Sequence, residues 1–177
     1  FFCSSVETKN ISNHEDEIED YLSLMTLEEK VGQLFMVEIG HISPQEVKKY
    51  KVGAILNGGG SFPRGKANHS PQDWISLADE YYLSSSSNIG NRYSFPVIWG
   101  TDAVHGHNNL KGATIFPHNI GLGATRNAEL VKKIGVITAK EVSATGLDLT
   151  FAPAVSVPRD DRWGRTYEGF SENPELY

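Results

Sequence analysis

Phe95-Pro96-Val97-Ile98-Trp99-Gly100-Thr101-Asp102-Ala103-Val104-His105-Gly106-His107-Asn108-Asn109 changes character partway along. Up to Gly100 it reads as a short strand, apolar on both faces; beyond it comes the densest polar stretch of the chain. A strand without a polar side belongs in a parallel sheet that is covered on both faces. In such proteins ligands bind past the C-terminal ends of the strands, which is where this polar stretch falls.

Outward from that strand, helix and strand signals alternate. On the N-terminal side, Ile18, Tyr21, Leu22 and Met25 recur at helical spacing after Asn13, a residue suited to cap a helix. Thr26-Leu27-Glu28-Glu29 has the form of a capping box, and Leu27, Val31, Leu34 and Phe35 follow on one face. A strand is expected over 35–39, a helix opened by Ser43-Pro44, and a strand over 52–56 that stops at Asn57-Gly58-Gly59-Gly60. Ser70-Pro71-Gln72-Asp73 opens the next helix, with Trp74, Leu77, Ala78 and Tyr81 as its buried stripe. On the C-terminal side, Phe116 to Thr125 reads as an ordered loop. Asn127 then caps a helix through Leu130, Val131, Ile134, Ile137 and Val142, closed by Gly146. The fourth strand is expected over 147–157.

Two α/β architectures fit this alternation: an open doubly wound sheet, or a (β/α)8 barrel. Four β/α units are half of what a barrel needs. Asn173-Pro174-Glu175 is a helix start two residues before the last one, Tyr177, so the domain is expected to be incomplete in this chain.

Composition narrows the function classes. With a net charge of −6, the chain has no electrostatic footprint for nucleic acid or an anionic membrane. No apolar run approaches the roughly 20 residues that a membrane-spanning helix needs. Cys3 is the sole cysteine, so no internal disulfide can form. Phe1-Phe2-Cys3-Ser4-Ser5 resembles the end of a bacterial lipoprotein signal, with Cys3 as the acylated residue. Residues 1–14 are therefore expected to be an unstructured export or linker segment, and 15–177 the four β/α units.

Two polar clusters can carry chemistry. Asp102 follows the third strand, and an ionised carboxylate offers two acceptor oxygens to adjacent hydroxyls. The plainer alternative is that it braces its own loop. His105 and His107 with Asp102 suggest a metal site, but alternate residues of an extended segment point opposite ways. Holding the loop is the commoner fate of such histidines. The second cluster, Arg159-Asp160-Asp161-Arg162-Trp163-Gly164-Arg165-Thr166-Tyr167-Glu168, follows the fourth strand. Mixed charges with two aromatics suit a sugar, whose apolar face stacks on a ring. Arg165 is assigned to the ligand and most of its neighbours to the scaffold. Gly58-Gly59-Gly60-Ser61 lacks the Lys-Ser/Thr pair of a phosphate loop and reads as a tight rim lined by backbone.

Together these segments resemble the family 3 glycoside hydrolases. The carriers are Met25 to Leu34, Gly100 to Asn109, Ala113 to Asn119, Phe151-Ala152-Pro153 and Arg159 to Arg165, in order and at fitting spacing. They look like the β-glucosidase and exo-β-glucanase subgroup. The resemblance implies a (β/α)8 barrel, of which this chain is the N-terminal half, followed by an α/β sandwich domain. It implies retaining exo-hydrolysis that releases glucose from non-reducing ends of β-linked glucans and glucosides, with no cofactor. Asp102 and Arg165 match substrate-binding residues of the −1 subsite. The nucleophile and the acid/base lie further along in the family, so no catalytic carboxylate and no metal ligand is assigned here. Plant members carry cysteines where this chain has Pro158 and Thr166, which points to the bacterial branch. An exported enzyme is expected: periplasmic, surface-bound or secreted. Two rivals are a non-catalytic carbohydrate-binding fragment and a metal-dependent hydrolase built on Asp102, His105 and His107.

Overall fold

The computed structural model describes residues 12–65, 67–87 and 95–176. Cys3, and with it the expected lipid anchor, lies outside the described residues. Among the described residues six α-helices and four strands succeed one another: α1 (Ser12–Leu24), α2 (Leu27–Gln33), β1 (Met36–Glu38), α3 (Pro44–Tyr50), β2 (Ala54–Asn57), α4 (Pro71–Ser86), β3 (Ile98–Thr101), α5 (Asn119–Ala124), α6 (Ala128–Ser143) and β4 (Leu149–Thr150).

The capping signals work as written in the sequence. Thr26 Oγ1 accepts the Glu29 N–H at 3.2 Å, and Glu29 Oε2 accepts the Thr26 N–H at 2.8 Å. The same reciprocal pair joins Ser43 to Glu46 and Ser70 to Asp73, each with proline in the first turn. Asn127 Oδ1 accepts the Leu130 N–H at 3.0 Å to open α6. Each cap satisfies donors that would otherwise be orphaned at a helix start.

All four strands are parallel, and their order in the sheet is their order in the chain. In the register, Val37, Ile55 and Trp99 share one row, and Ile55 and Trp99 are buried. They pack in one cluster with Val47 of α3, Trp74, Leu77 and Tyr81 of α4, and Val142 of α6. Trp99 meets Trp74 at 5.9 Å and Tyr81 edge-on at 5.6 Å between ring centres. The alternate positions, Met36, Ile98 and Leu149, face the other way and stay 38–49% exposed. Strand order without a reversal, and helices gathered on one face, exclude the doubly wound alternative. The sheet is the four-stranded arc of a (β/α)8-type barrel, and its bare face corresponds to the barrel's interior.

β1 (Met36–Glu38) and β2 (Ala54–Asn57) shift by one or two residues from the expected 35–39 and 52–56, and other boundaries differ more. The helix expected after Asn13 starts at Ser12, so the segment assigned to disorder already ends in helix. β3 starts at Ile98 rather than Phe95, since Pro96 has no N–H to give to a ladder. β4 spans only Leu149–Thr150 of the expected 147–157, and the next proline, Pro153, likewise cannot donate. The loop expected around residues 116–125 contains α5, despite Gly121 and Gly123. Gly123 serves close approach: an added Cβ would run into the Phe170 carbonyl oxygen. Here glycine does not punctuate the chain; its value is the room it leaves.

Candidate functional site

The ends of β2, β3 and β4 open onto one rim. Asp102 follows β3 directly, and its N–H donates to the Asn57 carbonyl at 3.3 Å, prolonging the ladder by one residue. Its side chain points to the neighbouring glycines, where Oδ2 accepts the Gly59 N–H at 3.2 Å. In its satisfied orientation the Asn108 amide nitrogen donates to the Asp102 carbonyl at 2.8 Å and to the Gly106 carbonyl at 3.2 Å. The adjacent Asn109, 4% exposed, reaches back to the glycines. Its Oδ1 accepts the Gly60 N–H at 3.1 Å and its Nδ2 donates to the Gly58 carbonyl at 3.4 Å.

Glu38, at the end of β1, ties down the same loop. Its Oε2 accepts the Gly40 N–H at 2.6 Å and faces His41 Nδ1 at 3.2 Å. Burial alone would raise its pKa. Hydrogen bonds from the Ser61 hydroxyl, the Gly40 N–H and His41 outweigh that and bring it below the usual carboxylate value. The sequence reading passes over Glu38, although a carboxylate closing an otherwise apolar strand is a signal of the same kind as Asp102.

The two loop histidines part company. His107 is fully buried, edge-on to Trp74 at 5.3 Å, with Nε2 3.0 Å from Thr145 Oγ1. Thr145 spends its own hydroxyl proton on the Val142 carbonyl at 2.7 Å, so Nε2 is the protonated nitrogen of His107. Desolvation holds the His107 pKa below its ordinary value. His105 turns the other way, with Nδ1 3.0 Å from the Phe116 carbonyl and its ring 4.2 Å from that of His118. Both brace the loop, and their divergence removes the geometry that a three-ligand site with Asp102 requires. Among the described residues no group of three or more His, Cys, Asp or Glu side chains could hold a metal ion.

Beyond β4, Arg165 is gripped by Glu168: Nε donates to Oε1 at 2.7 Å and Nη2 to Oε2 at 2.6 Å, a bidentate fork. Hydrogen bonding to Glu168 raises the Arg165 pKa, with smaller contributions from Glu168's charge and from Asp102. Hydrogen bonding to Arg165 likewise lowers that of Glu168. Asp102 and Arg165 both lie on chain that leaves the C-terminal ends of neighbouring strands, β3 and β4. Asn119 Nδ2 donates to the Glu168 carbonyl at 2.7 Å, so α5 fixes the loop's end. His118 also packs edge-on to Tyr167 at 4.7 Å. Arg162 pairs with Asp160 at the surface, as scaffold, while Trp163 and Tyr167 are 37% and 44% exposed.

Residues 26–177 match the model of the Glycosyl hydrolase family 3 N terminal domain. The chain belongs to glycoside hydrolase family 3. Among solved structures, the exo-1,3/1,4-β-glucanase of a Pseudoalteromonas species is 50% identical with a TM-score of 0.86, over 93% of this chain and 20% of that one. The periplasmic β-glucosidase of Salmonella typhimurium is 34% identical over 90% of this chain and 19% of its own length. The lysosomal β-glucosidase of Dictyostelium discoideum is 32% identical, over 89% and 21% respectively. The chain thus spans about a fifth of the length of each of these three relatives. The family match, over residues 26–177, spans all four strands and includes Asp102 and Arg165.

Proposed function

We propose that the whole protein is a retaining, exo-acting β-glucosidase or β-glucan glucohydrolase, and that this chain supplies part of its −1 sugar subsite. The observation that carries the proposal is the pair Asp102, directly after β3, and Arg165, in the loop beyond β4, each held by its own partner. Asp102 accepts from sugar hydroxyls and Arg165 donates to them. Contacts to ring hydroxyls tighten as positive charge develops at the anomeric carbon, so they lower the barrier rather than merely bind. Retention needs two carboxyl groups about 5–5.5 Å apart, one nucleophile and one acid/base. In this proposal both come from outside residues 1–177.

Hydrolysis of p-nitrophenyl β-glucoside by the whole protein tests the reading, with the released sugar followed by proton NMR. The expected first product is β-glucose. Initial release of the α-anomer would discard retention, and absence of hydrolysis with measurable glucose binding would favour a non-catalytic binder. Activity is expected to survive exhaustive treatment with EDTA. Loss on chelation and return with zinc would instead support a metal-dependent hydrolase. Export accompanies this proposal, supported by the periplasmic Salmonella relative. Mass spectrometry of the mature N-terminus would show whether Cys3 carries lipid.

A further inference from the structure

Asn109 treats Gly59 as a neighbouring strand residue would. In a parallel ladder, one residue donates to the carbonyl before its partner and accepts from the N–H after it. The Asn109 carboxamide does both from a side chain: Nδ2 donates to the Gly58 carbonyl and Oδ1 accepts the Gly60 N–H. It therefore prolongs β2 past Asn57, where the backbone of β3 has already turned into the site. The residue it straddles, Gly59, is the one whose own N–H donates to Asp102 Oδ2.

We infer that Asn109 is a positioning residue for substrate binding, acting through Gly59 on Asp102. The inference rests on the proposed role of Asp102 as a sugar-hydroxyl acceptor. By fixing the Gly58–Gly60 segment, Asn109 holds a backbone donor on Oδ2 and leaves Oδ1 to meet the ligand. Three glycines without such a strut would sample many backbone conformations, because glycine loses the most freedom on ordering. The carboxamide meets the glycine loop through one N–H and its carbonyl oxygen, at a nearly buried position. An added Cβ would meet nothing within 4 Å at Gly59 or Gly60, and only Asp102 Oδ2, at 3.7 Å, at Gly58, so little packing holds this stretch. Its order is supplied by hydrogen bonds, and Asn109 makes two of them.

The test is a double-mutant cycle in the whole protein on an aryl β-glucoside, using Asn109→Ala, Asp102→Asn and the pair. Asn109→Ala is expected to lower kcat/KM on the order of tenfold, as loss of preorganised hydrogen bonding does. In the Asn109→Ala background, Asp102→Asn should cost much less than it does in the wild type, because a carboxylate already misplaced has less to lose. Strict additivity, or wild-type kinetics in a folded Asn109→Ala protein, overturns the inference. Where alanine unfolds the protein, Asn109→Asp, of equal size, repeats the cycle with the Gly60 bond kept and the Gly58 bond lost. If Asp102→Asn alone leaves kcat/KM unchanged, the subsite reading itself fails and this inference falls with it. A large Asp102→Asn effect combined with additivity removes Asn109 only.

Discussion

The loop after β3 and the loop after β4 each present one charged group to the same rim, and they secure it by opposite means. Asp102 is held by a neutral backbone N–H, and the glycine loop behind it is clamped by the nearly buried Asn109. Arg165 is held by a counter-charge, Glu168, with the arginine side chain itself 66% exposed. The β3 loop is anchored from beneath by His107 on Thr145, inside the helix-covered core. The β4 loop is anchored from the side by α5, through Asn119 and His118. A carboxylate that must accept hydroxyls cannot spend itself on a cation without losing its acceptor capacity. A guanidinium has five donors and can give two to Glu168 while keeping others for a ligand. The difference in holding follows from the difference in what each group must keep free.

Breaking the β3 side should have the larger effect. Asp102→Asn in the whole protein is expected to lower kcat/KM on an aryl β-glucoside at least about tenfold, since hydrogen bonds to a charged group are worth roughly 1.5–3 kcal/mol. Near-wild-type kinetics would take Asp102 out of the subsite and leave the β4 loop as the sugar-reading side.

Glu168→Gln probes the β4 side and should cost less, a several-fold fall in kcat/KM. Released from its fork, Arg165 would no longer be held by Glu168 in the position that the proposal assigns to it. High salt should narrow the gap between wild type and Glu168→Gln, because the pair stands partly in solvent and is screened. The deficit of Asp102→Asn should respond much less, its partner being neutral. A loss as large as that of Asp102→Asn, indifferent to salt, would mean that the two loops are not held differently after all.

Much of the frame is legible in the sequence. Ser43, Ser70, Thr26 and Asn127 each cap the helix that they announce, because a cap joins residues only three apart. Asp102 and Arg165 follow from strand ends and resemblance. What stays hidden depends on contacts across long separations. Asn109 acts on residues about fifty positions earlier, and α5 owes its glycine to Phe170, far downstream in the chain. The shortness of β4 is local, by contrast, and Pro153 is there to be weighed.

The smallest effect on activity is expected from His107, which underlies the β3 loop without reaching its rim. In the folded protein Nε2–H donates to Thr145 Oγ1, and Nδ1 has no hydrogen-bond partner among the described residues. Protonation would add a second N–H in a place without an acceptor, in addition to burying a charge. Desolvation by burial holds the pKa below the ordinary 6.5, with Glu141 offsetting only part. The sign for stability follows directly. Above 6.5 both folded and unfolded chains carry a neutral imidazole, and the contribution is fully present. As pH falls below 6.5 the unfolded chain takes up the proton first, so stability declines until the folded pKa is reached. One group changes the slope by at most about 1.4 kcal/mol per pH unit. His118, shifted down by desolvation and by His105, adds a decline of the same sign in the same window. Thermal melts of the wild type and of His107→Gln between neutral and mildly acidic pH separate the two. Glutamine keeps a donor for Thr145 but cannot titrate, so its acid decline should be shallower while kcat/KM at neutral pH stays near wild type. Melting curves that decline in parallel would remove His107 as a source of the acid sensitivity.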